Sequence, residues 1–152
     1  MRIVSVSENQ NIEKRIAITP DIAKKYIALG LDISLPENYG EHLGFKDNDY
    51  KELGVEIFKK DADVLNDADI IVQLSLLSND NLLLLKENQT LVGIFNPHIN
   101  KKKIENLSKK NINIFSLEML PRITRAQSMD ILSSQANLAG YKAVIESFAN
   151  FE

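Results

Sequence analysis

Apolar and polar residues follow one another along the chain in a way that predicts strands alternating with helices. The runs of strand type are short, apolar or alternating, and the stretches between them have helical spacing. The predicted strands are Arg2–Ser5, Leu31–Leu35, Val55–Phe58, Asp69–Ser75, Thr90–Phe95 and Asn111–Leu117. The predicted helices between them are Asp21–Leu29, Asp47–Tyr50, Asp61–Ala68, Asn79–Lys86 and Asn100–Lys110. Strands separated by helices predict an α/β fold, with a parallel sheet covered by helices on both faces.

The ends of the predicted helices carry recognisable signals. Thr19 is a hydroxyl N-cap followed by proline at the first helical position, and Gly30 is a natural residue just beyond a helix end. From about Arg125 the pattern is that of one long helix that continues to Glu152 without a stop signal. The pattern therefore predicts an α/β domain of the Rossmann or flavodoxin type at residues 1–125 and a long linking helix at residues 126–152.

Composition removes several classes of function. The chain has 152 residues, 44% of them hydrophobic, with a formal charge of −3, two histidines and no cysteine. Disulfides, thiol nucleophiles and cysteine-based zinc sites are excluded, no metal site is predicted, and the mildly acidic charge argues against binding nucleic acid. No apolar run is long enough to cross a bilayer, and the N-terminus lacks a secretory pattern. We therefore expect a soluble intracellular chain.

The predicted long helix carries a polar stripe in its first half. On an ideal helix five hydroxyl, amide and carboxylate residues fall within an arc of about 120°: Gln127, Asp130, Ser133, Ser134 and Asn137. Such groups suit an uncharged polar ligand. A half-buried helix that satisfies its own polar groups explains the stripe equally well, and both interpretations stay open.

The second half of the same helix is apolar and rich in small residues. Tyr141, Val144 and Phe148 continue the face of the polar stripe, so we expect that face to be covered there. Small residues also recur at three- and four-residue steps and favour close packing of the helix. The six glycines, in contrast, never form the G-x-G-x-x-G pattern of a dinucleotide-binding turn, and there is no P-loop.

One segment carries a specific family resemblance. PRITRAQSMDILSSQANLAGYKAV, Pro121–Val144, is very similar to the signature of the NAD(P) transhydrogenase alpha subunit, the NAD(H)-binding component. The resemblance extends over Lys14–Ile33, Glu37–Ile57 and Ala68–Gln73, although Tyr39 and Glu41 stand where the family usually has small residues. These other blocks are shared with alanine dehydrogenases, whose N-terminal domain is similar.

The resemblance implies an oxidoreductase that transfers hydride from NADH to NADP⁺ held on a separate component, coupled to proton movement across a membrane. The implied partners are a second copy in a homodimer, the NADP(H)-binding component and a membrane-embedded proton-channel component. It also implies a cytoplasmic location at the inner membrane, held there by those partners, with no membrane-spanning segment in this chain.

The resemblance also assigns residues. Arg122, Asp130 and Ser133 would hydrogen-bond the nicotinamide carboxamide, and Gln127 would reach toward the nicotinamide ribose on the NADP(H) side. Gln127, Asp130 and Arg122 are thus the predicted catalytic residues, in the sense that they orient the ring. Because the Rossmann domain with the glycine fingerprint is not in this sequence, we expect the isolated chain to be incomplete and inactive alone.

Two other functions are considered. An alanine dehydrogenase relative would hold pyruvate with an arginine matching Arg15 and a lysine in the fourth strand, but Gln73 occupies the lysine position and His98 is offset from the catalytic histidine. The other is a non-enzymatic module that dimerises or docks without binding nucleotide, suggested by the missing glycine fingerprint.

Overall fold

A single parallel sheet organises the chain in the computed structural model, which describes residues 1–151. All five neighbouring pairs run parallel, in the order β3-β2-β1-β4-β5-β6. The strands are β1 (Arg2–Val4), β2 (Asp32–Pro36), β3 (Glu56–Phe58), β4 (Ile70–Val72), β5 (Thr90–Gly93) and β6 (Asn113–Ser116). The chain builds outward from β1 in one direction and then, from β4, in the other. The predicted α/β class and all six predicted strands are confirmed.

Six α-helices accompany the sheet in the described part of the chain. They are α1 (Pro20–Ala28), α2 (Asp47–Lys51), α3 (Asp61–Asn66), α4 (Asn79–Leu84), α5 (Lys101–Lys109) and α6 (Ile131–Ala149). Thr19 accepts a hydrogen bond from the Ile22 amide as the N-cap of α1, and Gly30 follows that helix with a φ of 78°. A side chain at that φ is strained, so glycine is suited to the position.

The sheet has two separate apolar cores, one on each face. Neighbouring residues of β1 point to opposite faces, so Ile3 belongs to one core and Val4 to the other. Tyr39 and Tyr50 are the largest residues of the core beside α1 and α2, and Phe95 is the largest in the core beside α3, α4 and α5. Helices on both faces are thus explained by strands that bury both sets of side chains.

The long helix begins later than the sequence pattern predicts. Residues Thr124–Met129 form a 3₁₀ helix, Asp130 has an extended ψ of 93°, and α6 starts at Ile131. The reason is local: the Asp130 carboxylate accepts a hydrogen bond from the Ser133 amide and so caps a new helix. The predicted helix reached Glu152, which lies outside the described residues.

Most of α6 lies in water. Tyr141 is 71% exposed, Val144 54% and Phe148 77%, so no described residue covers the face that was expected to be covered. The small residue Gly140 has no described atom near the place of its missing side chain. Among residues 1–151, no helix combines the length and apolarity needed to cross a membrane.

Gly93, at the end of β5, is closely surrounded. A Cβ there would lie 2.1 Å from the backbone oxygen of Gln73 and 2.6 Å from the ring of Phe95. Neither neighbour can move easily, because one is backbone at the end of β4 and the other is fully buried. Glycine is therefore required where β4 and β5 leave the sheet side by side.

Substitution of Gly93 tests this packing. We expect Gly93→Ala to lower the free energy of unfolding by about 3 kcal/mol, because the methyl group must displace backbone or a core ring. Gly140→Ala is the matched control and should not lower it, since nothing lies within 4 Å of that position. Urea denaturation followed by circular dichroism measures both, and equal stability of the two variants would contradict the packing described here.

Candidate functional site

The segment between β6 and α6 encloses a cleft of about 320 Å³. It is lined by Leu120, Pro121, Arg122, Ile123, Thr124, Ala126, Gln127, Asp130 and Ser133. All four predicted site residues are among them. The cleft follows the carboxyl end of the edge strand β6, on the side of the sheet where open parallel sheets bind ligands, although the strand order reverses between β1 and β4.

Asp130 and Ser133 form one hydrogen-bonded unit in this cleft. The Ser133 amide donates to Asp130 Oδ1 at 3.0 Å, and the Ser133 hydroxyl donates to Asp130 Oδ2 at 2.6 Å. These bonds, first that of the hydroxyl, lower the pKa of Asp130, and the charge of Arg122 acts in the same direction. Asp130 is therefore a carboxylate at neutral pH, and it keeps lone pairs for a further donor.

The Thr124 hydroxyl also lines the cleft, and its remaining polar side chains are those of Arg122 and Gln127. Both side chains are exposed, and within residues 1–151 neither makes a side-chain hydrogen bond or a salt bridge. Ala126 is the buried residue of the 3₁₀ helix and anchors the turn that carries Gln127. The cleft thus combines a guanidinium, an amide, two hydroxyls and a carboxylate, with one positive and one negative charge.

The site is formed by a turn, unlike the predicted helical stripe. Because Asp130 ends the 3₁₀ helix and caps α6, Gln127 lies on a different helix from Ser133. Ser134 and Asn137, predicted on the same face, do not line the cleft. Aspartate is a favoured N-cap residue, and Asp130 is the sequence feature that marks this break.

Glu118 is a residue of this region that the sequence pattern does not single out. Its Oε1 accepts hydrogen bonds from the amides of Phe95, at 3.0 Å, and Asn96, while Ser116 Oγ also accepts from the Phe95 amide. Glu118 thereby joins the carboxyl ends of β5 and β6 just before the cleft begins. Helix α6 contacts the same 3₁₀ turn, Leu117–Met119, so this carboxylate supports the base of the site.

A buried chain of polar side chains joins β1 to β4. Tyr39 donates to Ser5 Oγ at 2.8 Å, Ser5 donates to Gln73 Oε1 at 2.6 Å, and the Val6 amide donates to the same oxygen. The Tyr39 hydroxyl also accepts from the amides of Ala17 and Ile18, and burial raises its pKa. The hydroxyl of Tyr39, one of the departures from the family pattern, is therefore hydrogen-bonded entirely within the fold.

The side chains of Gln73 and Glu8 form a hydrogen bond with one another at the carboxyl edge of the sheet. Gln73 Nε2 donates to Val6 O and to Glu8 Oε1, both at 3.2 Å, and Glu8 Oε1 accepts further bonds from the amides of Leu74 and Ser75. These groups border a second cleft of about 540 Å³ beside β1 and β4. Because Gln73 is neutral, only 3% exposed and hydrogen-bonded through both Oε1 and Nε2, it offers a carboxylate substrate neither a cation nor a free donor.

Arg15 is engaged by other protein groups. Glu13 binds its guanidinium through two bonds of 2.9 Å and 2.7 Å, and Gln135 of α6 accepts a third at 2.6 Å. The bond to Arg15 lowers the pKa of Glu13, and Glu13 in turn raises the pKa of Arg15. His98 is exposed in the turn after β5. The structure does not bring Arg15, Gln73 or His98 into the cleft of Arg122 and Asp130.

Comparisons with known proteins relate the chain to one family. Residues 5–139 match the family described as "Alanine dehydrogenase/PNT, N-terminal domain". The chain is 40% identical over 151 residues to the first part of the NAD(P) transhydrogenase alpha subunit of Rickettsia prowazekii, a match that covers 97% of this chain and 39% of that protein. It is 36% identical over 156 residues to the corresponding protein of Rhodospirillum rubrum, covering 99% of this chain and 41% of that one.

A solved structure shows the same relationship. The transhydrogenase from Sinorhizobium meliloti superimposes with a TM-score of 0.87 at 32% identity, over 99% of this chain and 45% of that one. The chain thus spans about two fifths of the length of the curated relatives it matches, 39% and 41%.

The Asp130–Ser133 unit can be tested by titration. We expect Ser133→Ala to raise the pKa of Asp130 toward the ordinary aspartate range, because the hydroxyl bond that favours the carboxylate is lost. In the parent chain the carboxylate and its bonds persist to a lower pH and disappear only as the pH falls through the lowered pKa. The ¹³C shift of the Asp130 carboxyl carbon, followed by NMR against pH, measures the change.

Ser134→Ala is the control for this titration, since the Ser134 side chain makes no bond to Asp130. It should leave the pKa of Asp130 where it is in the parent chain. The assignment of the bond is wrong if both serine variants titrate alike.

Proposed function

Because this chain belongs to the alanine dehydrogenase/pyridine nucleotide transhydrogenase N-terminal domain family, we propose that it is the N-terminal part of the NAD(H)-binding subunit of a proton-translocating NAD(P) transhydrogenase. In this proposal residues 1–125 form the α/β domain. Residues 126–152 lead from it toward a Rossmann domain that holds the adenosine and pyrophosphate of the dinucleotide.

The observation that carries the proposal is the cleft that collects Arg122, Gln127, Asp130 and Ser133. A nicotinamide carboxamide has one carbonyl acceptor and one NH₂ donor group. Arg122 has guanidinium donors for the carbonyl oxygen, while Asp130 and Ser133 keep acceptor lone pairs for the NH₂ group. The cleft residues therefore offer donors for the carbonyl oxygen of the carboxamide and acceptors for its NH₂ group.

The chemistry places few demands on this chain. Bound NADH would supply the hydride, and NADP⁺ on a partner component would accept it. The chain's own residues need to hold the ring at a fixed angle, which is the main contribution of protein to cofactor chemistry. The bonds from Ser133 lower the pKa of Asp130, so its carboxylate acts as an acceptor and donates no proton. Gln127, which lies on the separate 3₁₀ helix, would extend toward the ribose of the partner's nucleotide.

The partners follow from the same proposal. The chain would act within an assembly that contains a second copy of itself, an NADP(H)-binding component and a membrane-embedded proton-channel component. Attachment to the inner membrane from the cytoplasmic side would come from those components.

An amino-acid dehydrogenase is less well supported by the contacts. Arg15 is bound to Glu13 and Gln135, and the place of the expected lysine is taken by the buried, fully bonded Gln73. Neither Arg15 nor Gln73 therefore offers an unengaged cation to a substrate carboxylate. A docking module remains the second candidate, and the specific observation that favours it is the exposed apolar surface of α6.

Gln127→Ala in the assembled transhydrogenase tests the proposed roles. We expect hydride transfer to slow by about 100-fold, because a small misplacement of two reacting rings is costly, while NADH binding changes little. Single-turnover absorbance measures the transfer, and fluorescence titration measures the NADH affinity.

Asn137→Ala serves as the control, since Asn137 is exposed on α6 and does not line the cleft. It should change neither quantity. If Gln127→Ala abolished NADH binding while turnover per bound complex stayed normal, the role given to Gln127 would be refuted. If the parent assembly bound no NADH and catalysed no transfer, the docking module would be favoured.

A further inference from the structure

One side-chain hydrogen bond ties α6 to the rest of the α/β domain. Arg15 Nη1 donates to Gln135 Oε1 at 2.6 Å, across 120 residues of sequence. Among the described residues, no other side-chain hydrogen bond joins α6 to the chain before Asp130. Helix α6 also contacts the Leu117–Met119 turn, but its residues after Ile131 are exposed, so packing restricts the direction of the helix only weakly. The bond from Arg15 to Gln135 is therefore an additional constraint on the direction of α6.

Glu13 prepares Arg15 for that contact. Its two oxygens accept from Arg15 Nε and Nη2, and Oε1 also accepts from the Arg15 amide at 2.9 Å. This fork occupies one edge of the guanidinium and leaves Nη1 directed at Gln135. A lysine could not make the same arrangement, because its ammonium lacks the planar fork.

The bond acts close to the candidate site. Gln135 lies two residues beyond Ser133, within the first turns of α6, and Asp130 is the N-cap of the same helix. Residues so close on a helix move together, so the direction of α6 determines where the Asp130–Ser133 unit faces the rest of the cleft. Arg15 itself is outside the cleft lining.

We propose that Arg15 is a positioning residue, which Glu13 aligns and which sets the direction of α6 through Gln135, and thereby the geometry of the Arg122–Ser133 cleft. The expected effect of this geometry on hydride transfer rests on the proposed function. The expected effect of Arg15 on the direction of α6 is independent of the proposed function.

A distance measurement tests the mechanical part. The chain contains no cysteine, so Lys24→Cys in α1 and Ala139→Cys in α6 place two spin labels at exposed sites. Electron double resonance should give a narrow distance distribution in the labelled parent. Arg15→Ala and Gln135→Ala should each broaden it, and Gln135→Glu should keep it narrow because a carboxylate still accepts from Arg15. Lys14→Ala, beside Arg15, is the control and should leave it narrow.

Circular dichroism confirms that each labelled variant is folded, and Gln135→Glu supplies a conservative comparison if an alanine variant is not. Equal distributions in the parent, Arg15→Ala and Gln135→Ala would overturn the proposal. The proposal would also be overturned if Gln135→Glu broadened the distance distribution as much as Gln135→Ala. That result would show a general need for glutamine at this position rather than for the hydrogen bond.

Activity of the assembled transhydrogenase tests the functional part. Arg15→Ala and Gln135→Ala should each lower kcat about tenfold, equivalent to about 1.4 kcal/mol of barrier, and the double variant should lose no more than either single one. Additive losses would overturn a shared role. An assembly that catalyses no transfer even with the parent chain would refute the proposed function, while the distance measurement would still decide the proposal about Arg15.

Discussion

The fold depends on a buried junction between β1 and β4, where the order of the sheet reverses. Two parallel strands leave the sheet side by side there, and their backbone groups need partners away from water. Gln73 supplies them by bonding Ser5, Val6 and Glu8, and Glu8 accepts the amides that follow β4. A lysine at position 73 would replace an acceptor and a donor by donors alone. The junction therefore favours an uncharged side chain, and this preference removes a cation from the carboxyl edge.

The candidate site has a different physical basis. It lies in a turn between an edge strand and an exposed helix, where few apolar contacts restrict the backbone. Its order comes from polar contacts: Glu118 holds the end of β5, Asp130 caps α6, and Arg15 reaches Gln135. Such a site is preorganised by several hydrogen bonds to charged groups. Bonds of this kind are short and directional.

The fold could be predicted from the sequence because every strand and helix has its own apolar pattern. Six strands separated by helices leave few arrangements other than a doubly wound sheet. The predicted start of α6 was wrong because apolar spacing continues across Asp130, while the capping bond to Ser133 interrupts the helix. Helical spacing brings Gln127, Asp130 and Ser133 to one face and the resemblance adds Arg122, but the cleft that collects them is formed by a turn, which neither of these indicates. Contacts such as those of Arg15 with Gln135 join segments 120 residues apart and leave no trace in local patterns.

The exposed apolar side chains of α6 have a thermodynamic consequence. A helix that buries almost nothing gains little beyond its intrinsic propensity, so its order is only weakly coupled to folding of the sheet. Any surface that covered Tyr141, Val144 and Phe148 would bind the ordered helix in preference to the disordered one. Helix formation and association are then linked equilibria, and the helical content of this segment becomes a function of the concentration of whatever covers it.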